Sequence, residues 1–316
     1  MLTIRNLTKS ALCSLAFCAT VCLCRAGEFA NPLMPGADPY ALTDAKTVWM
    51  YPTGGGSFYA YSSQDLKTWQ RHGPVLRLRD VRWAAAGGHA WAPAVIARDG
   101  KWYFYYAIGP KPSSIGVAVG DSPAGPFRDS GKPLLQDKGK KGFEAIDPMV
   151  FADPKSGKYY LYAGGSAGAK LRVFELNADM VGIASEIPVD TPRNFTEGVF
   201  MHYRDGLYYL SYSHGNYRNA SYSVHYATAK SPTGPWTYRG AILTSDATHK
   251  GPGHHSFFTR PSDGADLIAY HRYDGVTGNG PYRTGRQIAI DRVYYNADGT
   301  IRPIIMTDGA GQRKKQ

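Results

Sequence analysis

Five short apolar-aromatic runs recur along the chain, and four of them follow a tight turn. Val48-Trp49-Met50-Tyr51 is the first. Trp102-Tyr103-Phe104-Tyr105-Tyr106 follows Asp99-Gly100, and Tyr159-Tyr160-Leu161-Tyr162 follows Ser156-Gly157. Leu207-Tyr208-Tyr209-Leu210 follows Asp205-Gly206, and Leu267-Ile268-Ala269-Tyr270 follows Asp263-Gly264. From Val48 the markers are spaced 54, 57, 48 and 60 residues apart. Runs of four or five such residues bounded by turn residues read as buried strands, and Asp-Gly is a two-residue hairpin signal. Several units carry further strands: Phe58–Ser63, Ile115–Val119 and Val224–Ala229. The last two lead into near-copies, Ser122-Pro123-Ala124-Gly125-Pro126-Phe127 and Ser231-Pro232-Thr233-Gly234-Pro235-Trp236. Self-similarity at this period signals radial repetition, four-stranded blades around a channel. Five units predict an all-β, five-bladed β-propeller over residues 30–306, with no helix longer than a turn or two. An irregular β-sandwich is the alternative, and the repeat argues against it.

The abundance of glycine (36) and tyrosine (23) suits short strands joined by tight turns. The formal charge of +11 raises the question of nucleic acid. The basic residues are scattered and do not interleave with aromatics, so no nucleic-acid partner is expected. The first 26 residues read as a secretory signal: Arg5 and Lys9, then an apolar stretch of 14 residues from Ala11 to Cys24. That stretch is too short for a confident membrane span. Cleavage is placed after Ala26, leaving a single catalytic domain over 27–316 that is secreted or periplasmic. All four cysteines (Cys13, Cys18, Cys22, Cys24) fall within the signal, so the mature chain would have no disulfide and no cysteine metal site. Losing Arg5, Lys9 and Arg25 lowers the charge to +8.

The chemistry is sought among the acids. The chain has five glutamates, and Glu197 stands apart. It lies between Thr196 and Gly198, just before the apolar run Val199-Phe200-Met201. A general acid at neutral pH needs a carboxyl whose pKa is raised by apolar surroundings or by another carboxylate. Asp38, in Ala37-Asp38-Pro39, and Asp147, in Ile146-Asp147-Pro148, also begin units. A propeller's inner strands line its channel, so equivalent positions in different blades converge at the channel mouth. Three carboxylates meeting there cannot all stay ionised without cost, and one pKa must rise. Each could instead be a turn opener or an edge residue. Asp99, Asp153, Asp205 and Asp263 read as turn residues.

The ordered set Asp38-Pro39, Asp147-Pro148 and Glu197-Gly198 on five blades resembles glycoside hydrolase family 43. The likeness extends to Trp91-Ala92-Pro93, to Gly253-His254-His255-Ser256, and to Arg286 with Asp291-Arg292-Val293-Tyr294-Tyr295. It implies an inverting hydrolase of α-L-arabinofuranosides or β-D-xylosides. Asp38 would be the general base, Asp147 would orient and tune the acid, and Glu197 would be the general acid. Trp91, Arg286, His254 and His255 would bind substrate. Core tryptophan, surface arginine and turn histidine are the plain alternatives for those four. No cofactor is required for the chemistry. The family's channel ion would be a structural calcium near His254. His271 and Arg272, after the fifth marker, are further candidates to line the pocket. The expected activity is an exo-acting or debranching α-L-arabinofuranosidase on arabinan- or arabinoxylan-type oligo- or polysaccharides, with a β-xylosidase as the alternative. A sugar-binding propeller without catalysis is the third reading, and it predicts a missing carboxylate where this chain keeps all three.

Overall fold

A computed structural model of the chain describes residues 28–84, 88–110, 112–137, 143–166 and 169–309. The expected signal and its cysteines lie outside these residues. Five antiparallel sheets form a five-bladed β-propeller. Blade I contains Tyr40–Asp44, Thr47–Tyr51, Ser57–Ser63 and Gln70–Arg77. Blade II contains His89–Arg98, Lys101–Gly109, Ser114–Gly120 and Leu135–Gln136, with Arg128–Asp129 beside its third strand. Blade III contains Met149–Ala152, Tyr159–Ala163, Arg172–Leu176 and Ile183–Ile187. Blade IV contains Glu197–Arg204, Leu207–His214, Ser223–Ala229 and Thr237–Leu243. Blade V contains His249–Thr259, Asp266–Asp274, Gln287–Arg292 and, from the far end of the chain, Met34–Pro35. Among the described residues the sole helical piece is a 3₁₀ turn, Leu78–Asp80, and no helix is long and apolar enough to cross a membrane.

Every recurring run is the second strand of its blade. Both faces of that strand pack on neighbouring blades, so the run is apolar throughout rather than alternating. The pleat divides it residue by residue. In blade II, Phe104 and Tyr106 pack towards Tyr51 and Phe58 of blade I, while Tyr105 packs towards Leu161 and Phe174 of blade III. Blade IV repeats the scheme: Tyr208, Leu210 and Tyr212 meet blade III, and Tyr209 meets Ile268 and Tyr270 of blade V. Leu267, Ile288 and Ile290 close the last interface on Val48 and Met50. Rings pack edge-on, as Phe58 does on Phe104 at 5.0 Å and 68°, and each fully buried Phe contributes about 1.5–3 kcal/mol.

Tyrosine adds a hydroxyl that must be satisfied when buried. Tyr51 donates to Pro123 O (2.8 Å) and Tyr162 to Pro232 O (2.6 Å). The two near-copies Ser-Pro-x-Gly-Pro are therefore the loops that receive the preceding blade's tyrosine. Two of the three expected Asp-Gly turns form two-residue hairpins: Arg98 pairs with Lys101 and Arg204 with Leu207, and all four turn residues have positive φ, whereas Asp263-Gly264 lies in a longer loop between Thr259 and Asp266.

The ring is closed by the N-terminal segment. Met34 pairs with Ile288, and Leu33 N donates to Ile288 O (2.8 Å). Just before them, buried Asn31 donates to Ile290 O (2.7 Å) and accepts from Ile290 N (2.9 Å). Asn31→Ala leaves both Ile290 groups unpaired in a buried place. The expected cost is about 2 kcal/mol of stability, read as a lowered midpoint in urea unfolding; an unchanged midpoint would show that closure does not depend on this clasp.

Candidate active site

In or just before the inner strand, each blade has a residue with left-handed backbone. These are Asp38 (φ 52°), Ala92 (φ 40°), Asp147 (φ 55°), Gly198 (φ 61°) and His254 (φ 39°). In blades II, IV and V the pairing register shifts there, so each is a bulge. Bulges turn side chains out of the ladder and gather at functional edges. A left-handed non-glycine residue costs about 1–3 kcal/mol and persists only where its surroundings impose it. Gly198 is needed for space as well, since a Cβ there would lie 3.1 Å from both the His254 ring and Ser213 Oγ.

Asp38, Asp147 and Glu197 lie around one cavity of about 330 Å³, which Trp91, His254 and Arg286 also line. All three carboxylates are buried. Asp38 is gripped on every side. Thr53 Oγ1 donates to Oδ2 (2.6 Å), Arg286 donates to Oδ1 (3.0 Å), and His254 Nδ1 lies 3.4 Å from the same oxygen. The Asp38 backbone N–H donates to His271 Nδ1 (3.2 Å). Asp147 accepts from Gly198 N (3.0 Å) and faces His254 Nδ1 at 3.6 Å. Glu197 accepts from the Tyr222 hydroxyl (2.8 Å).

The three environments drive the carboxyls apart. Burial pushes Asp38 up, but Arg286, His254 and His271 together outweigh it and hold the carboxyl well below the usual range. Among the described residues no cation touches Glu197: burial raises it to about 7, the Tyr222 hydrogen bond and the Arg286 charge oppose, and Asp38's charge adds. Asp147 is raised well above its usual value by burial, then by the charges of Glu197 and Asp38. Asp147 and Glu197 titrate as a pair that keeps a proton towards neutrality beside an ionised Asp38. One carboxyl fixed as a base and another held as an acid is the division that acid–base hydrolysis needs.

The tuning by Tyr222 can be tested. Its hydroxyl favours the ionised glutamate, so Tyr222→Phe raises the Glu197 pKa further. The Phe ring can keep the stack on His271 (5.6 Å, 7°). Activity needs Glu197 protonated and is lost as pH rises through its pKa. The alkaline limb of kcat/KM therefore moves to higher pH in the variant; a limb that stays or falls would count against this arrangement.

Trp91 forms a wall of the cavity, seated over Gly109, where a Cβ would stand 1.9 Å from the indole. Arg286 stacks over the rim residue Tyr217 at 5.3 Å while it holds Asp38. His254 faces the two aspartates. His255 is not brought to the pocket: it is buried behind it, 2.6 Å from Ser211 Oγ. In blade V the left-handed His254 lines the cavity, and its successor lies behind it. Of the two weaker candidates, His271 reaches Asp38, whereas Arg272 is turned to Asp274 (3.0 Å) and Asp308 (3.4 Å). Thr53, Glu144, Ser166, Tyr217 and Tyr222 complete the surroundings, and the sequence reading missed all five. They sit on loops outside the marker pattern, and Glu144, three residues before Asp147, was the one that position could have flagged.

His271 Nε2 and His255 Nδ1 are buried with no partner among the described residues. Calcium prefers six to eight oxygen ligands, so two imidazole nitrogens suit it only if water supplies the rest. His271 Nδ1 accepts from the Asp38 N–H, so its Nε2 carries the ring proton and offers an ion no lone pair, and His254 Nδ1 faces the aspartates. Elsewhere His249, Asp274 and Asp308 bring ligand atoms within 4.8 Å of one another. The Arg272 guanidinium already pairs with both carboxylates of that cluster.

A propeller whose channel mouth holds an ionised carboxyl and a protonated one around a sugar-sized cavity defines a glycoside hydrolase. The model of glycosyl hydrolases family 43 matches residues 29–301, and the chain belongs to that family. It is 36% identical to the β-D-galactofuranosidase xynD of Aspergillus niger, over 88% of this chain and 85% of that protein. It is 32% identical to an arabinoxylan arabinofuranohydrolase of Bacillus subtilis, over 87% of this chain and 64% of that protein. Among solved structures, a family 43 β-xylosidase/α-arabinofuranosidase from a compost microbial metagenome, in complex with xylotriose, superposes with a TM-score of 0.72 at 29% identity. That match covers 89% of this chain and 98% of the other.

Proposed function

We propose that the protein is an exported, inverting α-L-arabinofuranosidase that removes single arabinofuranosyl residues from arabinan- or arabinoxylan-type chains. The observation that carries the mechanism is the opposed tuning of Asp38 and Glu197 within one cavity. Asp38, kept ionised by Arg286, His254 and His271, takes a proton from water as that water attacks the anomeric carbon. Glu197, kept protonated to about pH 7, gives its proton to the departing glycosidic oxygen. Asp147 accepts from the Gly198 N–H and so fixes the backbone beside the acid, and its own carboxyl is raised by burial and by the Glu197 charge. In an inverting enzyme base and acid stand roughly 6.5–9.5 Å apart to admit the water. A cavity of about 330 Å³ is at the small end for ligand sites, which favours one sugar over a length of polymer. The furanoside reading is supported by the names of the Aspergillus niger and Bacillus subtilis relatives.

A β-D-xylosidase is the second reading, favoured by the xylotriose-bound structural neighbour. Nitrophenyl glycosides of α-L-arabinofuranose, β-D-xylopyranose and β-D-galactofuranose decide between them. The proposal expects the highest kcat/KM on the arabinofuranoside, and a preference of tenfold or more for another sugar would replace it. Any channel ion would be structural. Dialysis against a chelator is then expected to lower the unfolding midpoint while the folded enzyme keeps its turnover. Export with cleavage near Gly27 rests on Arg5, Lys9 and the apolar stretch Ala11–Cys24. N-terminal sequencing of protein from the culture fluid checks it.

A further inference from the structure

Among the described residues three large hydrophobic side chains stand exposed, Tyr217, Tyr294 and Ile305, and of these Tyr217 lines the catalytic cavity. A single exposed ring is ordinary on a protein surface, so its surroundings must show whether it is placed there. Tyr217 lies in the blade IV loop between His214 and Ser223, and both ends of that loop are tied to the acid. At one end Gly215 N donates to Oγ1 of Thr196, the residue before Glu197 (3.2 Å); at the other Tyr222 donates to Glu197 itself (2.8 Å). The loop is also fastened to the blade V loop that leads to Arg286. Tyr282 N donates to Arg218 O (2.7 Å), Ala220 N to Asn279 O (3.1 Å) and the Tyr273 hydroxyl to Tyr217 O (3.2 Å). A Cβ on Gly280 would stand 2.7 Å from Asn219 Cβ, so the two loops are in direct contact. The Tyr217 backbone is thus fixed from both blades while the residue stays 44% exposed.

A ring held open to water forgoes the gain of burial. The stack on Arg286, 5.3 Å from the ring centroid, uses part of its surface, and the exposed remainder can take a second partner. A sugar ring presents a face of C–H groups, which an aromatic ring receives through dispersion and shared exclusion of water. Tyrosine does this at low entropic cost, because its side chain is rigid. A general acid protonates the oxygen of the leaving group, so a loop tied to Glu197 at both ends belongs to the leaving-group side. A cavity of about 330 Å³ suits one sugar, which puts the next sugar at the mouth, where Tyr217 stands. We infer that Tyr217 is a specificity-determining residue, the platform on which the leaving-group sugar stacks. The inference rests on the reading of the cavity as a hydrolase site with Glu197 as acid, and it does not depend on which sugar is released.

The test compares two substrates of the sugar that the wild type releases: an oligosaccharide and the methyl glycoside. Both leaving groups are poor and need protonation, but only one presents a sugar to the leaving-group side. The loop's ties at position 217 use the backbone, so side-chain variants keep them. For Tyr217→Ala, kcat/KM on the oligosaccharide is expected to fall about tenfold more than on the methyl glycoside, the size of one lost ring contact. Tyr217→Phe, which keeps the ring, is expected to hold the wild-type ratio of the two substrates. If Tyr217 instead acted only by steadying Arg286, Tyr217→Ala would lower both substrates equally. It would also move the acidic limb of kcat/KM to higher pH, since a loosened Arg286 holds Asp38 down less. Equal losses, or no loss on either substrate, would overturn the inference alone. A wild type that hydrolyses neither substrate would overturn the hydrolase reading and this inference with it.

Discussion

Glu197→Gln is expected to lower turnover of an oligosaccharide by roughly 10²–10⁴-fold, the usual contribution of a positioned acid. Glutamine keeps the size of the side chain, and its carbonyl can still accept from Tyr222, so the cavity and the sugar's binding are preserved. What is lost is the proton that burial keeps on the carboxyl to about pH 7. A sugar alkoxide cannot leave without that proton, whereas a nitrophenolate can. The same variant is therefore expected to spare a nitrophenyl glycoside, and to lose on it the alkaline limb seen in the wild type. The acidic limb should be unaffected, because it belongs to Asp38, which is held well below the usual carboxylate range. A variant that keeps near-normal turnover of the oligosaccharide would remove Glu197 from the role of acid. Intact binding with no release of sugar by the wild type itself would favour a sugar-binding protein.

Asp38→Asn is expected to cost a similar factor, but on both kinds of substrate equally. Water must attack in either case, and an amide cannot take its proton. The amide oxygen can still accept from Thr53 or Arg286, so the side chain should stay in place. Arg286 then lacks its counter-charge, which lowers the pKa of neighbouring acids by the same physics that held Asp38 down. The alkaline limb of the residual activity is thus expected to move to lower pH. A loss confined to the oligosaccharide would exchange the roles of Asp38 and Glu197. Sugar release from an oligosaccharide as fast as by the wild type would remove Asp38 from the site.

The propeller was legible because its signal is repeated. Burial on both faces forces the second strand of every blade into an unbroken apolar-aromatic run, and such a run stands out in any chain. The three carboxylates were legible for a related reason: each stands at or just before the start of an inner strand, beside a turn residue, Pro39, Pro148 or Gly198. The sequence thereby determined the number of blades, their hairpins and which acids converge. It did not determine ring closure. Met34–Pro35 is too short to register as a strand, and it becomes one only because blade V offers it the free edge of Gln287–Arg292. Nor could it decide between His254 and His255, which are adjacent and chemically equal until a left-handed backbone turns the first towards Asp38 and Asp147 and leaves the second behind the pocket. The same holds for the electrostatics. Asp38 and Asp147 have nearly the same local sequence, yet the Arg286 guanidinium outweighs burial and holds one down, while burial and the charges of Glu197 and Asp38 push the other up. Partners that lie 233 and 248 residues away along the chain set that difference, and only the closed ring brings them within reach.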